Sequence, residues 1–154
     1  MQTRTDGRTG DDDDHHHIST TISYLLTTFS FSPRYLHGVK EAEYALEQVK
    51  SEFGYDMDLI EMTSLKPFDM DTIKESLSRT HKIILLDEST LSGGVGATVS
   101  ALVGEQCFDL LDAPVKRLCM DDAPVPYASS MEKAVVKRAE DLVEAMKDMV
   151  NKKI

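Results

Sequence analysis

Gly93-Gly94-Val95-Gly96 follows an apolar run and opens a helical pattern, the setting in which backbone N–H groups cradle a phosphate. The loop lacks the Lys-Ser/Thr of a P-loop and a complete G-x-G-x-x-G, and the carboxylates of Asp87 and Glu88 just before it would repel an anion. Small residues there are better read as letting a helix approach the sheet and a neighbouring subunit closely. Asp87 and Glu88 fall at the C-terminal end of a predicted strand, where open α/β sheets place ligands. Adjacent strand residues point to opposite faces, so the two cannot share a proton. Helix capping or interface polarity suits them better than acid/base work.

His37 and His81 are the only histidines outside the first 17 residues, and neither has a nucleophile or orienting group at a fixed spacing. His81 reads as a surface or interface histidine at the start of a strand. No G-x-S-x-G, C-x-x-C or H-E-x-x-H is present. Asp11 to Asp14 followed by His15 to His17 supplies metal-ligand types, but consecutive residues without a scaffold fix no coordination geometry. Cys107 and Cys119 are too few for a disulfide framework and read as buried, inert thiols. The residues therefore nominate no catalytic group, no cofactor-binding group and no metal ligand.

These groups must be positioned by elements, and the chain is long enough to bury a real core. Its 154 residues are 41% apolar and 29% charged, an ordinary globular composition. The longest clean apolar run, Ile83 to Leu86, is strand-sized and far short of a membrane span. The net charge of −10 argues against nucleic acid as a partner. Residues 1–17 hold five acids against Arg4 and Arg8, a net of −3, which leaves −7 on the remainder. That acidity would suit a basic protein partner and equally plain solubility.

Residues 1–17 are predicted to be a disordered acidic and His-rich tail, having almost nothing apolar to offset the entropy of ordering. Residues 18–154 are predicted to be one domain. Ile18 to Phe31 is strand-like and is broken by Pro33. Leu36, Val39, Ala42, Leu46, Val49 and Phe53 recur at helical spacing and stop before Gly54. Met57 to Met62 is a second strand, and Asp69 is the N-cap of a helix carrying Ile73, Ser76 and Leu77. Lys82 to Asp87 is a third strand, apolar enough for burial on both faces. A helix then runs from the glycine loop to about Leu111, and Val115 to Met120 is a fourth strand. The final helix puts Ala139, Leu142, Val143, Met146 and Val150 on one face. This alternation predicts an α/β domain with a mostly parallel sheet covered on both sides.

Five motifs stand in order: Ser64-Leu65-Lys66-Pro67-Phe68-Asp69, Thr80-His81-Lys82, Gly93-Gly94-Val95-Gly96-Ala97, Leu111-Asp112-Ala113-Pro114-Val115 and Pro124-Val125-Pro126-Tyr127-Ala128. Together they resemble the C-terminal, transketolase-like domain of pyruvate dehydrogenase E1 beta subunits. The first three motifs are nearer the plastid and cyanobacterial form than the mitochondrial one. The resemblance runs from about Ile18 to the C-terminus, and departs from the family at Thr27 to Leu36 and at the basic tail Asn151-Lys152-Lys153-Ile154.

The resemblance implies a three-layer αβα domain with a five-stranded mixed sheet, of which the sequence itself shows four strands. It implies an enzyme that decarboxylates pyruvate oxidatively on thiamine diphosphate and Mg and passes the acetyl group to E2. The cofactor in that family lies between the alpha subunit and the beta subunit's N-terminal domain, so none is expected on this domain, and the fragment alone is expected to be inactive. The implied partners are the E1 alpha subunit, a second E1 beta subunit and the E2 subunit-binding domain, with no nucleic acid and no membrane. Carried over residue by residue, E2 docking falls to Asp112 and to the chain terminus, Ile154. The implied location is a plastid (chloroplast or apicoplast), with mitochondrion and bacterial cytoplasm as alternatives. Two other readings stay open: the matching domain of a branched-chain 2-oxoacid dehydrogenase beta subunit, and a free-standing, non-enzymatic α/β interaction module.

Overall fold

The computed structural model describes residues 22–27, 37–55, 57–62 and 64–151. Four strands form one sheet in the order β2-β1-β3-β4, every neighbouring pair parallel. They are β1 (Ile22–Thr27), β2 (Met57–Glu61), β3 (Ile83–Thr90) and β4 (Lys116–Met120). Between and after them come α1 (His37–Phe53), α2 (Met70–Thr80), α3 (Val95–Gln106), a 3-10 turn (Phe108–Leu110), α4 (Ser129–Val135) and α5 (Ala139–Asn151).

Parallel neighbours need crossovers, and the strand order makes the chain reverse its direction of travel between β1 and β3. Helices on both sides then bury both faces of β3, whose Ile83, Ile84, Leu85 and Leu86 are all buried. Ile84 and Leu86 pack with Ala42, Ala45 and Val49 of α1 and with Leu142 and Met146 of α5. Ile83 and Leu85 pack with Ile73 and Leu77 of α2 and with Val99 and Val103 of α3. The period-2 alternation of one strand thus divides the interior into two layers.

Local signals set the boundaries. The Asp69 carboxylate accepts from the Thr72 N–H at 3.1 Å, the capping bond predicted for α2. α1 ends at Gly54, whose φ of +69° is open to glycine and costly for other residues. The third helix is shorter than its sequence suggests. It stops at Gln106, and the chain reaches Leu110 as a 3-10 turn because Cys107, fully buried, anchors the break in the α2/α3 layer.

The αβα architecture and parallel sheet agree with the sequence reading. The fifth strand implied by the family resemblance has no counterpart among the described residues, where the sheet is four-stranded and wholly parallel. The predicted tail of residues 1–17, the Pro33 break and Ile154 lie outside the described residues.

Candidate functional site

The glycine loop was the strongest candidate for an anion site, and it is closed from within. Asp87 is buried, and its Oδ2 accepts from the Gly96 N–H at 2.6 Å, filling the N-terminus of α3. Oδ1 accepts from the Ser89 N–H at 2.9 Å and Oδ2 from the Ser89 hydroxyl at 2.6 Å. A Cβ on Gly94 would collide with the Ser89 Oγ and stand 2.6 Å from the Thr90 carbonyl oxygen, while one on Gly96 would meet Asp87 Oδ2 at 3.0 Å. The small residues serve close approach, and a diphosphate has no cradle here. The pairing of β3 with β4 shifts register between Leu86 and Thr90, and that irregularity spans Asp87 and Glu88.

A cleft of about 430 Å³ opens at the C-terminal ends of β3 and β4, beside the point where the strand order reverses. Gly38 and Glu41 of α1 border it, as do Val125 and the α4–α5 connection. Three of its carboxylates, those of Glu41, Asp87 and Glu88, accept from backbone N–H groups. Glu88 Oε1 accepts from the Gly38 N–H at 3.1 Å, and Glu41 Oε2 accepts from the Ala139 N–H at 2.9 Å. Arg138 also lines it, with its Nε buried and without a hydrogen-bond partner. Among the described residues that line the cleft, no nucleophile is hydrogen-bonded to a base.

The opposite, N-terminal edge of the sheet carries Asp112, one of the two residues nominated for docking. Leu111 packs on the α2/α3 layer and Ala113 is buried in the α1/α5 layer, so the chain crosses between layers at Asp112. The Asp112 side chain is exposed there, and its backbone N–H donates to the His81 carbonyl at 2.8 Å. α5 runs back to this same edge, where the buried Lys82 ammonium donates to the Met149 carbonyl at 2.7 Å. Ile154 lies outside the described residues, but the helix that leads to it ends on the edge that carries Asp112.

His81 is half-buried and adopts a left-handed conformation (φ 58°) as the C-cap of α2, its N–H donating to the Leu77 carbonyl. Its Nδ1 lies 3.0 Å from the Leu110 carbonyl oxygen, which can only accept, so Nδ1 carries the proton. Reasoning from sequence placed His81 at a strand start and missed this contact across 29 residues. The one local signal was the residue type, since histidine is among the residues enriched at positive φ.

Both cysteines are buried, and burial pushes each thiol's pKa up, which keeps it protonated and unreactive. The stiff segment after β4 is tied by Asp122, which accepts from the Ser92 hydroxyl at 2.6 Å and the Ser92 N–H at 2.7 Å. Those bonds hold its carboxyl below the usual range. Among the described residues, no three His, Cys, Asp or Glu side chains are arranged to hold a metal ion, and no helix is long and apolar enough to cross a membrane.

Residues 36–142 match the family described as Transketolase, C-terminal domain. The pyruvate dehydrogenase E1 component subunit beta of Gracilaria tenuistipitata var. liui is 42% identical over 97 residues, covering 63% of this chain and 30% of the relative. Its counterpart in Porphyra purpurea is 41% identical over 98 residues, 64% of this chain and 30% of the relative. The chloroplastic beta-2 subunit of Arabidopsis thaliana is 34% identical over 124 residues, 80% of this chain and 29% of the relative. The chain thus spans about 30% of the length of these curated relatives. A solved structure titled split gene transketolase, inactive beta4 tetramer, superposes with a TM-score of 0.67 at 20% identity, over 88% of this chain and 40% of that one. That last likeness concerns the fold alone. The chain belongs to the transketolase C-terminal domain family, and the relatives it resembles there are beta subunits of the pyruvate dehydrogenase E1 component.

Proposed function

We propose that this chain is the assembly and docking domain of a pyruvate dehydrogenase E1 beta subunit, and that Asp112 with the C-terminal residues through Ile154 forms its contact with the E2 subunit-binding domain. The observation that carries the reading is the sheet edge. An exposed carboxylate, fixed through its own backbone between two core layers, shares that edge with the end of the last helix. A carboxylate held in this way loses little freedom on meeting an Arg or Lys, and a charge-assisted pair supplies orientation as well as affinity. The net charge of −10 favours encounter with a basic partner.

In this reading the complete enzyme decarboxylates pyruvate on thiamine diphosphate with Mg and works as an assembly with E1 alpha and a second E1 beta subunit. The described residues do not fit that cofactor: the one glycine-rich helix start is filled by the Asp87 carboxylate. No chemical step is assigned to them. A plastid is the location this reading favours, on the likeness to the chloroplastic subunit of Arabidopsis thaliana.

Calorimetric titration of the full chain with the E2 subunit-binding domain, at low and moderate salt, tests the proposal. Sedimentation of the same sample gives its oligomeric state. Binding that weakens with salt and drops at least about tenfold in Asp112→Ala is expected for a desolvated charge pair. Equal binding by Asp112→Ala, or no binding by a dimeric sample, would sink it.

A further inference from the structure

We infer that His81 is the positioning residue of the docking edge: its ring N–H on the Leu110 carbonyl and its own carbonyl on the Asp112 N–H fix where the Asp112 carboxylate meets a basic partner. The inference rests on the docking reading above and adds to it a residue that never touches the partner.

Three observations converge. First, His81 grips the same short segment twice, by side chain at Leu110 (3.0 Å) and by backbone at Asp112 (2.8 Å). Two bonds at i and i+2 fix both the position and the direction of the chain between them. Second, Leu110 closes the 3-10 turn, and its N–H is already used on the Cys107 carbonyl at 3.0 Å. The ring therefore meets a carbonyl whose peptide neighbours are anchored in the buried layer, not a swinging loop. Third, His81 holds φ 58° at the end of α2, a backbone state that directs its carbonyl away from the helix ladder and toward Asp112.

The alternative is that His81 is only a helix cap. A cap needs the left-handed backbone and nothing from the ring, so the two roles separate by substitution. Asparagine tolerates the left-handed region, and its Nδ2 branches from Cγ as the histidine Nδ1 does, so His81→Asn keeps a donor for Leu110. Glycine adopts the same backbone without strain and has no donor, so His81→Gly keeps the cap and loses the grip.

The test is the titration of the full chain with the recombinant E2 subunit-binding domain, run on wild type, His81→Gly, His81→Asn, Asp112→Ala and His81→Gly/Asp112→Ala, with thermal unfolding of each. Loss of one neutral hydrogen bond predicts about fivefold weaker binding for His81→Gly, and His81→Asn is expected within about twofold of wild type. The double variant is expected to bind no more weakly than Asp112→Ala alone, because His81 acts through Asp112. If Asp112→Ala weakens binding while His81→Gly matches wild type, or the two losses simply add, the positioning role is overturned and the docking reading stands. If His81→Gly unfolds, a His81→Asn variant that folds yet binds as weakly as Asp112→Ala overturns it too. Wild-type-like binding by Asp112→Ala, or no binding by a wild-type sample that sediments as a dimer, overturns the docking reading and this inference together.

Discussion

Asp87 and Glu88 are consecutive residues that cap helices on opposite faces of the sheet. Asp87 Oδ2 takes the Gly96 N–H at the start of α3, and Glu88 Oε1 takes the Gly38 N–H at the start of α1. Strand alternation sends the two carboxylates to opposite layers, and each finds a helix N-terminus whose first N–H groups have no partner within the helix. The register shift of β3 against β4 between Leu86 and Thr90 spans both residues, while Asp87 stays paired with Thr27 of β1. One dipeptide thus ties both helical layers to the central strand.

Asp87 is the costlier of the two to lose. Its side chain is buried and accepts three hydrogen bonds, from Gly96, Ser89 N–H and Ser89 hydroxyl. Asp87→Ala strands those donors and is expected to lower unfolding free energy by about 3 kcal/mol. Asp87→Asn keeps one acceptor oxygen and is expected to lose about half as much. Urea denaturation of the three proteins measures this, and a loss below that of an ordinary exposed cap would contradict the burial argument.

Gly94→Ala is expected to be destabilising for a steric reason. The new methyl would enter the space of the Ser89 side chain and sit 2.6 Å from the Thr90 carbonyl, and the backbone atom cannot rotate away. The expected loss is about 2 kcal/mol. Gly104→Ala is the control, because nothing lies within 4 Å of its added Cβ, and in a helix interior alanine is expected to gain about 0.5–1 kcal/mol. Thermal unfolding of both variants reads the contrast directly.

How much of this was legible in the sequence follows the range of each interaction. Asp69 as a cap, Gly54 as a stop and the doubly buried run Ile83 to Leu86 are local or periodic signals, and each lands where the sequence puts it. Capping by Asp87 could be named as a type of role, but its partner Gly96, nine residues on, required the fold. The grip of His81 on Leu110 and of Lys82 on Met149 was invisible, because separations of 29 and 67 residues leave no trace in spacing. The end of α3 was misplaced for a related reason. Helical periodicity continues through Leu111, while the break at Cys107 comes from tertiary burial.

Acid is expected to loosen the β2–α2 contact. Burial alone would raise the Asp58 pKa, but hydrogen bonds from Arg79 and Ser76, both at 2.7 Å, and the Arg79 charge outweigh it and hold the carboxyl below its reference value of 3.8. A group whose folded pKa is depressed contributes stability that is full above its unfolded pKa and is lost as pH falls through the folded one. The wild type should therefore lose stability as pH drops below 3.8, helped by the lowered carboxyls of Asp69 and Asp122. Asp58→Asn should be less stable than wild type near neutrality, and the gap should close at low pH. Unfolding midpoints across the acid range decide it, and a gap independent of pH would show that Asp58 does not act through its charge.

Lys82 supplies what α5 lacks. That helix has no basic residue in its last turn, yet its terminal carbonyls gather partial negative charge. The buried Lys82 ammonium, on the residue just before β3, meets the Met149 carbonyl at 2.7 Å, so the cation comes from 67 residues away. Lys82→Met keeps the aliphatic stem and removes the donor, and the expected cost is about 2 kcal/mol, the worth of a charged hydrogen bond with little solvent to replace it. The loss should also be local before it is global. Backbone amides in the last turn of α5 should exchange faster with deuterium, while those of α1, which packs beside it, keep their protection until global unfolding. Uniform acceleration across both helices would mean that Lys82 acts on overall stability and does not fasten the end of α5 to the edge that carries Asp112.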